Sequence, residues 1–307
     1  MSINVRNSGE KINLEQMLTH HLPLASHSTI LTGGTADLAA SPIDFEDLRA
    51  LLFFAKDNNL PVSVLGAGSN SLISDDGIRG LTILTNHLLR RHVQGEMFCV
   101  RSGCMLDKAI DQAIEDGLSG LELLGGIPGT IGGAIWGNSG NAEAQISQYL
   151  YYVDYMTFDG KLHRMQTHLD DFSYRTSPFK KMNDAIIYEA GFRLFPTTQT
   201  SEVRKRKDSA KRLKKQSGHY ESPSLGCIFK NPPTIAAGKL IERCNLKGYS
   251  IGGAQVSNHH ANIIINPRHN ATSTEVRNLI EHIKQVVAQK TSIILEEEIR
   301  YLGQWDR

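Results

Sequence analysis

Apolar side chains recur along this chain with two periods, and the places where one gives way to the other outline its elements. Over 44–58, Leu48, Leu51, Leu52 and Ala55 fall at i, i+3, i+4 and i+7, one face of an amphipathic helix. Asp44 stands at its N-cap, and Asn58-Asn59-Leu60-Pro61 ends it. Leu106, Ala109, Ile110, Ala113 and Ile114 repeat the pattern over 105–116, with Gly117 as the stop. Near the end of the chain Val276, Leu279, Ile280, Ile283 and Val287 share the face of a further helix, which Thr272 and Glu275 open as a capping box. A weak helix is expected at 12–22 and a short one at about 235–244. Strand patterns fall at 62–65, near 80–85, near 97–101, and at 185–195, 262–266 and 295–299. The segments 151–158 and 161–165 read as a hairpin around Asp159-Gly160, and an extended piece at 25–34 ends on Gly33-Gly34. Strands interspersed with helices make the class α+β or α/β.

One stretch follows neither period. From Gly125 to Ala134, five of ten residues are glycine, joined by Pro128. Leu121-Glu122-Leu123-Leu124 leads in and Ala134-Ile135-Trp136 leads out, so the run reads as a turn inside a buried region. Glycine belongs where φ is positive or where a ligand approaches the backbone. Unscreened N–H groups form nests that hold anions such as phosphate. The run therefore points to phosphate or cofactor contact, with a tight structural turn as the alternative. A second glycine site, Gly66-Ala67-Gly68-Ser69-Asn70-Ser71-Leu72, follows the strand at 62–65. It departs from the dinucleotide fingerprint: Ser71 replaces the third glycine, residues 72–77 turn rather than open a helix, and Thr85-Asn86-His87 stands where an acid would hold a ribose. It reads either as a diphosphate cradle of another kind or as a hairpin turn.

Composition narrows the classes. The 307 residues allow two or three domains, and 40% hydrophobic content excludes global disorder. A net charge of +1 argues against a dedicated nucleic-acid binder. Residues 1–24 hold no apolar stretch of signal length and no later run could span a bilayer, so no membrane insertion is expected. Cys99, Cys104, Cys227 and Cys244 form no C-x-x-C pair, which predicts a reduced, cytoplasmic protein. The twelve histidines make no ligand motif, and no metal is expected; His259-His260 reads as a turn or neighbouring pair. In 203–215, Arg204, Lys205, Arg206, Lys207, Lys211, Arg212, Lys214 and Lys215 stand against Asp208 alone. The run reads as a solvated helix linking two domains, from which Arg212 could reach an anionic substrate. No aromatic interleaves it, which disfavours nucleic acid.

Taken in order, a set of motifs resembles one family. They are Gly33-Gly34, Leu65-Gly66-Ala67-Gly68-Ser69-Asn70, the glycine run from Gly126 to Ala134, Tyr174-Arg175-Thr176-Ser177, Gly226-Cys227-Ile228-Phe229-Lys230-Asn231-Pro232, Leu246-Lys247-Gly248 and Leu295-Glu296-Glu297-Glu298. Over about 24–303 the chain resembles the UDP-N-acetylenolpyruvoylglucosamine reductases, the shorter of that family's two types by the spacing of Arg175 and Arg212. The resemblance implies an α+β architecture: a two-subdomain FAD-binding fold of the vanillyl-alcohol-oxidase-like type plus a C-terminal α/β substrate-binding domain. The blocks would be 1–80, completed by a final strand in 296–307, then 81–197, then 198–295. It also implies a flavoenzyme that uses NADPH to reduce the enolpyruvyl ether of UDP-N-acetylglucosamine enolpyruvate to a lactyl ether, giving UDP-N-acetylmuramate for peptidoglycan. FAD would rest between Gly66, Ala67, Gly68, Ser69, Asn70 and Ser71 on one side and Gly129, Thr130, Gly132 and Gly133 on the other, its diphosphate on backbone N–H groups. NADPH would reduce FAD and leave before the substrate enters the same cleft. Arg175, Cys227 and Glu298 would be catalytic, and Arg212, Lys230, Asn231 and Asn262 would contact substrate. No obligate protein partner is implied.

The chemistry of these residues suits such a reaction. Hydride addition at C3 of the enolpyruvyl group builds charge on its carboxylate, which calls for preorganised donors. Arg175 offers a fixed cationic fork, and Glu298 would donate from a buried, protonated state. The resemblance also implies which glutamate of the three serves, because the family's L-x-x-E spacing counted from Leu295 falls on Glu298. Cys227 would deliver the proton to C2; a free thiol, with a pKa of about 8.5, keeps its proton at neutrality. Cysteine at 227 departs from the family's usual serine, Ser217 stands where proline is usual, and Gly137 and Asn141-Ala142 replace bulkier residues. Two other functions fit parts of the pattern. Another FAD oxidase or dehydrogenase, acting on an alcohol or hydroxy acid, would keep the glycine loops without needing Arg175, Cys227 and Glu298 together. A non-catalytic nucleotide-binding protein using the basic run would hold no flavin.

Overall fold

A computed structural model describes residues 13–305. The described residues gather into two compact units, each made of separated stretches: 13–21, 37–67 and 79–212 form one, and 22–36, 68–78 and 213–305 the other.

The first unit holds a sheet with the strand order Leu18–Pro23, Thr35–Ala40, Ile78–Leu84, Val62–Leu65, its last pair parallel. The helix Phe45–Asp57 starts where its cap predicts, Asp44 accepting the Asp47 N–H at 2.9 Å. Its Leu48, Leu51, Leu52 and Ala55 are buried in a cluster with Leu81 and Ile83. The helix expected at 12–22 is only the turn Leu14–Met17, followed by strand; Ile12 lies outside the described residues. Pairing with Thr35–Ala40 outweighs the weak helical pattern there. A second, antiparallel sheet runs Leu162–Gln166, Leu150–Thr157, Ala185–Arg193, Met97–Arg101, Arg91–Gln94. The last of these escaped the apolar pattern because all four of its residues are exposed. Leu106–Glu115 buries its predicted face against Phe98 and Phe192, at roughly 1.5–3 kcal/mol for each large side chain.

The second unit has an antiparallel sheet in the order Ser224–Cys227, Ile263–Ile265, Ala254–Val256, Ser250–Ile251. Ala237–Arg243 and Ser273–Thr291 join its core, the latter opened by the Thr272–Glu275 capping box. The strand expected at 295–299 is extended chain with a single bridge, Glu297 to Phe229. Regular strand begins only at Arg300–Leu302, which pairs parallel with Ser71–Ile73. Among the described residues no helix is long and apolar enough to cross a membrane.

Candidate active site

The glycine run lies in the first unit and is not one turn. A 3-10 turn at Leu121–Leu124 leads to an extended link and then to a short α-helix, Ile131–Trp136. Thr130 caps that helix, its Oγ1 accepting the Gly133 N–H at 3.3 Å, so burial and capping overcome two helical glycines. Most N–H groups of the run have protein acceptors. Gly126 donates to Asp107 Oδ1 at 2.9 Å, Ile131 to Cys104 O at 2.8 Å and Gly132 to Ser102 O at 2.9 Å. Among the described residues the N–H groups of Gly129 and Thr130 meet no protein acceptor, which narrows the anion nest to these two.

Gly125 and Gly126 serve a different end. A Cβ at Gly126 would lie 2.8 Å from Lys211 Cα, and one at Gly125 would lie 2.7 Å from Lys207 O. Both belong to the helix Thr200–Gln216, which packs against the run. That helix was expected to be solvated; four of its cations pair with acids elsewhere in the unit, and one of them, Lys207, is buried. Lys207 is 2% exposed, with Nζ 2.7 Å from Asp111 and 3.2 Å from Asp107. Lys211 reaches Asp107 at 2.7 Å, Arg204 reaches Asp111 at 3.1 Å, and Arg206 reaches Glu122 at 2.7 Å. Burial pushes the Asp107 and Glu122 carboxyls up, but the hydrogen bonds from these cations and from backbone N–H groups outweigh it and leave both below the usual range. Arg212, four residues before the end of the helix, is exposed.

The other glycine site crosses from one unit to the other. Gly66, in the first, faces Thr130: a Cβ there would lie 2.7 Å from Oγ1. Gly68, in the second, has φ +61° and would drive a Cβ into His27 O. Among the described residues the N–H groups of Ala67, Gly68 and Asn70 meet no protein acceptor. Ser69 and Ser71 are half-buried beside them. Two buried hydroxyls beside these glycines also lack partners, Ser102 against Gly132 and Ser28 against Gly68. Buried polar atoms without partners suit a polar, anionic cofactor that would satisfy them.

Arg175 sits at the tip of a tight turn between Ser173 and Thr176, at φ +55°. Its Nη2 donates to Gly140 O at 3.1 Å and its guanidinium lies over the Tyr174 ring at 5.2 Å. The turn is fastened to the end of the Ile131–Trp136 helix. Ser177 Oγ donates to Trp136 O at 2.7 Å, and Asn138 Nδ2 donates to Ser173 O at 2.8 Å. Asn138 is fully buried at φ +45°, a conformation asparagine tolerates, and the sequence reading passed over it as a positioning residue.

In the second unit Cys227 and Glu298 come together on paired extended segments. Glu298 N–H donates to Ile228 O at 2.7 Å and Lys230 N–H to Glu296 O at 2.8 Å. Gly226, at φ +71°, provides the bulge that interrupts the register before Cys227. Asn70 holds the other side, Nδ2 donating to Glu298 O at 3.2 Å and its own O accepting the Arg300 N–H at 2.9 Å. Cys227 and Glu298 are both half-buried, so the full burial expected for Glu298 is not met. Three expected substrate contacts have protein partners. Asn262 is 3% exposed; its Oδ1 accepts the Phe229 N–H at 3.0 Å and its Nδ2 donates to Phe229 O at 2.8 Å, so its amide braces the segment that follows Cys227. Asn231 accepts the Ala237 N–H at 3.0 Å, and Lys230 pairs with the exposed Glu296. Among the described residues no three metal-ligating side chains cluster.

The chain is similar to known proteins of one family. Residues 218–302 match the family description UDP-N-acetylenolpyruvoylglucosamine reductase, C-terminal domain, and residues 36–166 match FAD binding domain. The UDP-N-acetylenolpyruvoylglucosamine reductase of Pediococcus pentosaceus is 34% identical over 94% of this chain and 96% of its own length. That of Nostoc punctiforme is 39% identical over 92% of this chain and 85% of its own. The crystal structure of the Thermus caldophilus enzyme superposes with a TM-score of 0.77 at 29% identity, covering 93% of this chain and 98% of that one.

Proposed function

This chain belongs to the UDP-N-acetylenolpyruvoylglucosamine reductase family, and from that premise we propose how its residues divide the family's reaction. The reaction is the NADPH-dependent reduction of UDP-N-acetylglucosamine enolpyruvate to UDP-N-acetylmuramate, with FAD as cofactor, in peptidoglycan precursor synthesis. Bound FAD supplies the relay by which two electrons from NADPH reach the enolpyruvyl double bond. Gly66, Ala67, Gly68, Ser69, Asn70 and Ser71, with Gly129, Thr130, Gly132 and Gly133, hold that cofactor; the open N–H groups among them are its diphosphate donors. Arg175 binds the substrate carboxylate as a fork, and Glu298 donates a hydrogen bond to the charge that accumulates there. Cys227 gives its thiol proton to C2. Arg212, Lys230 and Asn231 remain candidates for the diphosphate and sugar of the substrate, Lys230 by exchanging its exposed partner Glu296 for it. The division into 1–80 with 296–307, 81–197 and 198–295 is proposed as one of roles, cofactor against substrate, rather than of compactness. A cytoplasmic location accords with four free thiols.

The observation that supports these roles is the Glu298 N–H to Ile228 O bond at 2.7 Å, which sets the backbone of the acid beside the residue that follows Cys227. The test supplies UDP-N-acetylglucosamine enolpyruvate and NADPH to the FAD-loaded protein and follows NADPH absorbance. Consumption that requires the enolpyruvyl compound is expected. Cys227→Ser should keep most of it, while Cys227→Ala should slow the substrate half-reaction by about 100-fold or more and spare reduction by NADPH. An alanine variant that turns over like the parent would remove Cys227 from the mechanism.

A further inference from the structure

Three glutamates follow one another at 296–298, and on extended chain successive side chains point to opposite faces. A slip of one residue would therefore present Glu297 where Glu298 belongs. Backbone pairing alone guards weakly against this, because the segment 293–299 has one bridge and no continuous ladder. The side chains are fixed separately. Glu296 pairs with Lys230 on an exposed surface. Glu297 is gripped separately: its Oε1 accepts from Lys284 Nζ at 2.7 Å.

The geometry points to Lys284 as a positioning residue that captures Glu297 and so sets Glu298 as the acid turned toward substrate. This rests on the catalytic role given to Glu298 above. Lys284 is well mounted for the task. It rides on the helix Ser273–Thr291, whose Val276, Leu279, Ile280, Ile283 and Val287 are all buried. That helix is tied down at its start by Asp75, which accepts the N–H groups of Ser273 and Thr274, both at 2.8 Å. Lys284 also reaches Glu281 at 2.9 Å, so its ammonium joins two carboxylates. Burial alone would lower its pKa, but hydrogen bonds to Glu297 and Glu281 prevail and raise it, which keeps the cation charged. The anchor is therefore in force across the neutral range.

The test uses FAD-loaded Lys284→Met and Lys284→Arg in stopped flow, with the two half-reactions read separately. Lys284→Met should leave flavin reduction by NADPH within about twofold of the parent and slow reoxidation by the enolpyruvyl substrate roughly 10- to 100-fold, the effect of a small misplacement. Lys284→Arg should recover most of that loss. In a Glu298→Gln background Lys284→Met should add little, because both act through one group. Parent-like reoxidation in Lys284→Met, or losses shared equally by both half-reactions and flavin content, would overturn the inference. A parent protein that the enolpyruvyl compound fails to reoxidise would instead overturn the functional reading on which it rests.

Discussion

His219 and His260 meet edge to face, 5.4 Å between ring centres, and Ser217 Oγ lies 2.9 Å from His219 Nδ1. Burial first, then Lys214 and His260, hold His219 down at about 4, from an ordinary value of 6.5. Burial lowers His260 as well. Between about pH 6.5 and pH 4 the unfolded chain takes up a proton at His219 that the folded one refuses. Stability is thus fully present above 6.5 and declines as pH falls through that window. His219→Gln should flatten the fall in thermal midpoint between pH 8 and pH 4.5, whatever it does to the midpoint at pH 8; an unchanged slope would show that other groups govern acid lability. At this scale the choice of Glu298 among three glutamates came from the family's L-x-x-E spacing and not from the chemistry of the run. Single residues were illegible where a side chain serves the backbone. Nothing in the sequence distinguishes an Asn262 that bonds both sides of Phe229 from one that meets a substrate.

The helix Thr200–Gln216 shows why a charge run misleads when read within its own window. Its partners Asp107, Asp111 and Glu122 are 84 to 104 residues away, so the local sequence offers only Glu202 and Asp208 as counter-charges. Folding supplies the rest, and Gly125 and Gly126, the first pair of the glycine run, make room for this helix. The face carrying Lys207 and Lys211 consequently supports the glycine run through Asp107, which also holds Gly126. Removing one partner from a buried charge group leaves the others uncompensated, at about 3–5 kcal/mol. Lys207→Met should lower unfolding free energy in urea by about that much. Lys205→Met, whose exposed lysine reaches only Glu202, should change it by less than about 1 kcal/mol. Equal losses would mean that position 207 is no more critical than its surface neighbour. The amphipathic helices Phe45–Asp57, Leu106–Glu115 and Ser273–Thr291 were legible because period and caps agree; the edge strand Arg91–Gln94 was not, having no buried face to mark it.

Periodicity finds elements, but it does not say which stretches share a core, and in this molecule the two compact units interleave. The unit holding Cys227 and Glu298 takes Ile30 and Leu72 into its core from far upstream. Its last strand, Arg300–Leu302, pairs with Ser71–Ile73 rather than with any neighbour in sequence. Asn266 Nδ2 donates to Ile30 O at 3.0 Å, Ser273 Oγ to Thr32 Oγ1 at 2.7 Å, and Asp75 receives the start of the long helix. A fragment of residues 213–307 would keep its antiparallel sheet and both helices, yet lose those core residues, that strand partner and that helix anchor together. Fewer than 100 residues with an incomplete core leave little margin against chain entropy. The fragment should therefore show no cooperative thermal transition and little amide dispersion, although it contains all of the matched C-terminal domain, 218–302. A well-dispersed spectrum with a sharp melting transition would mean that 22–36 and 68–78 dock onto a unit already folded, and that the site around Glu298 forms without them.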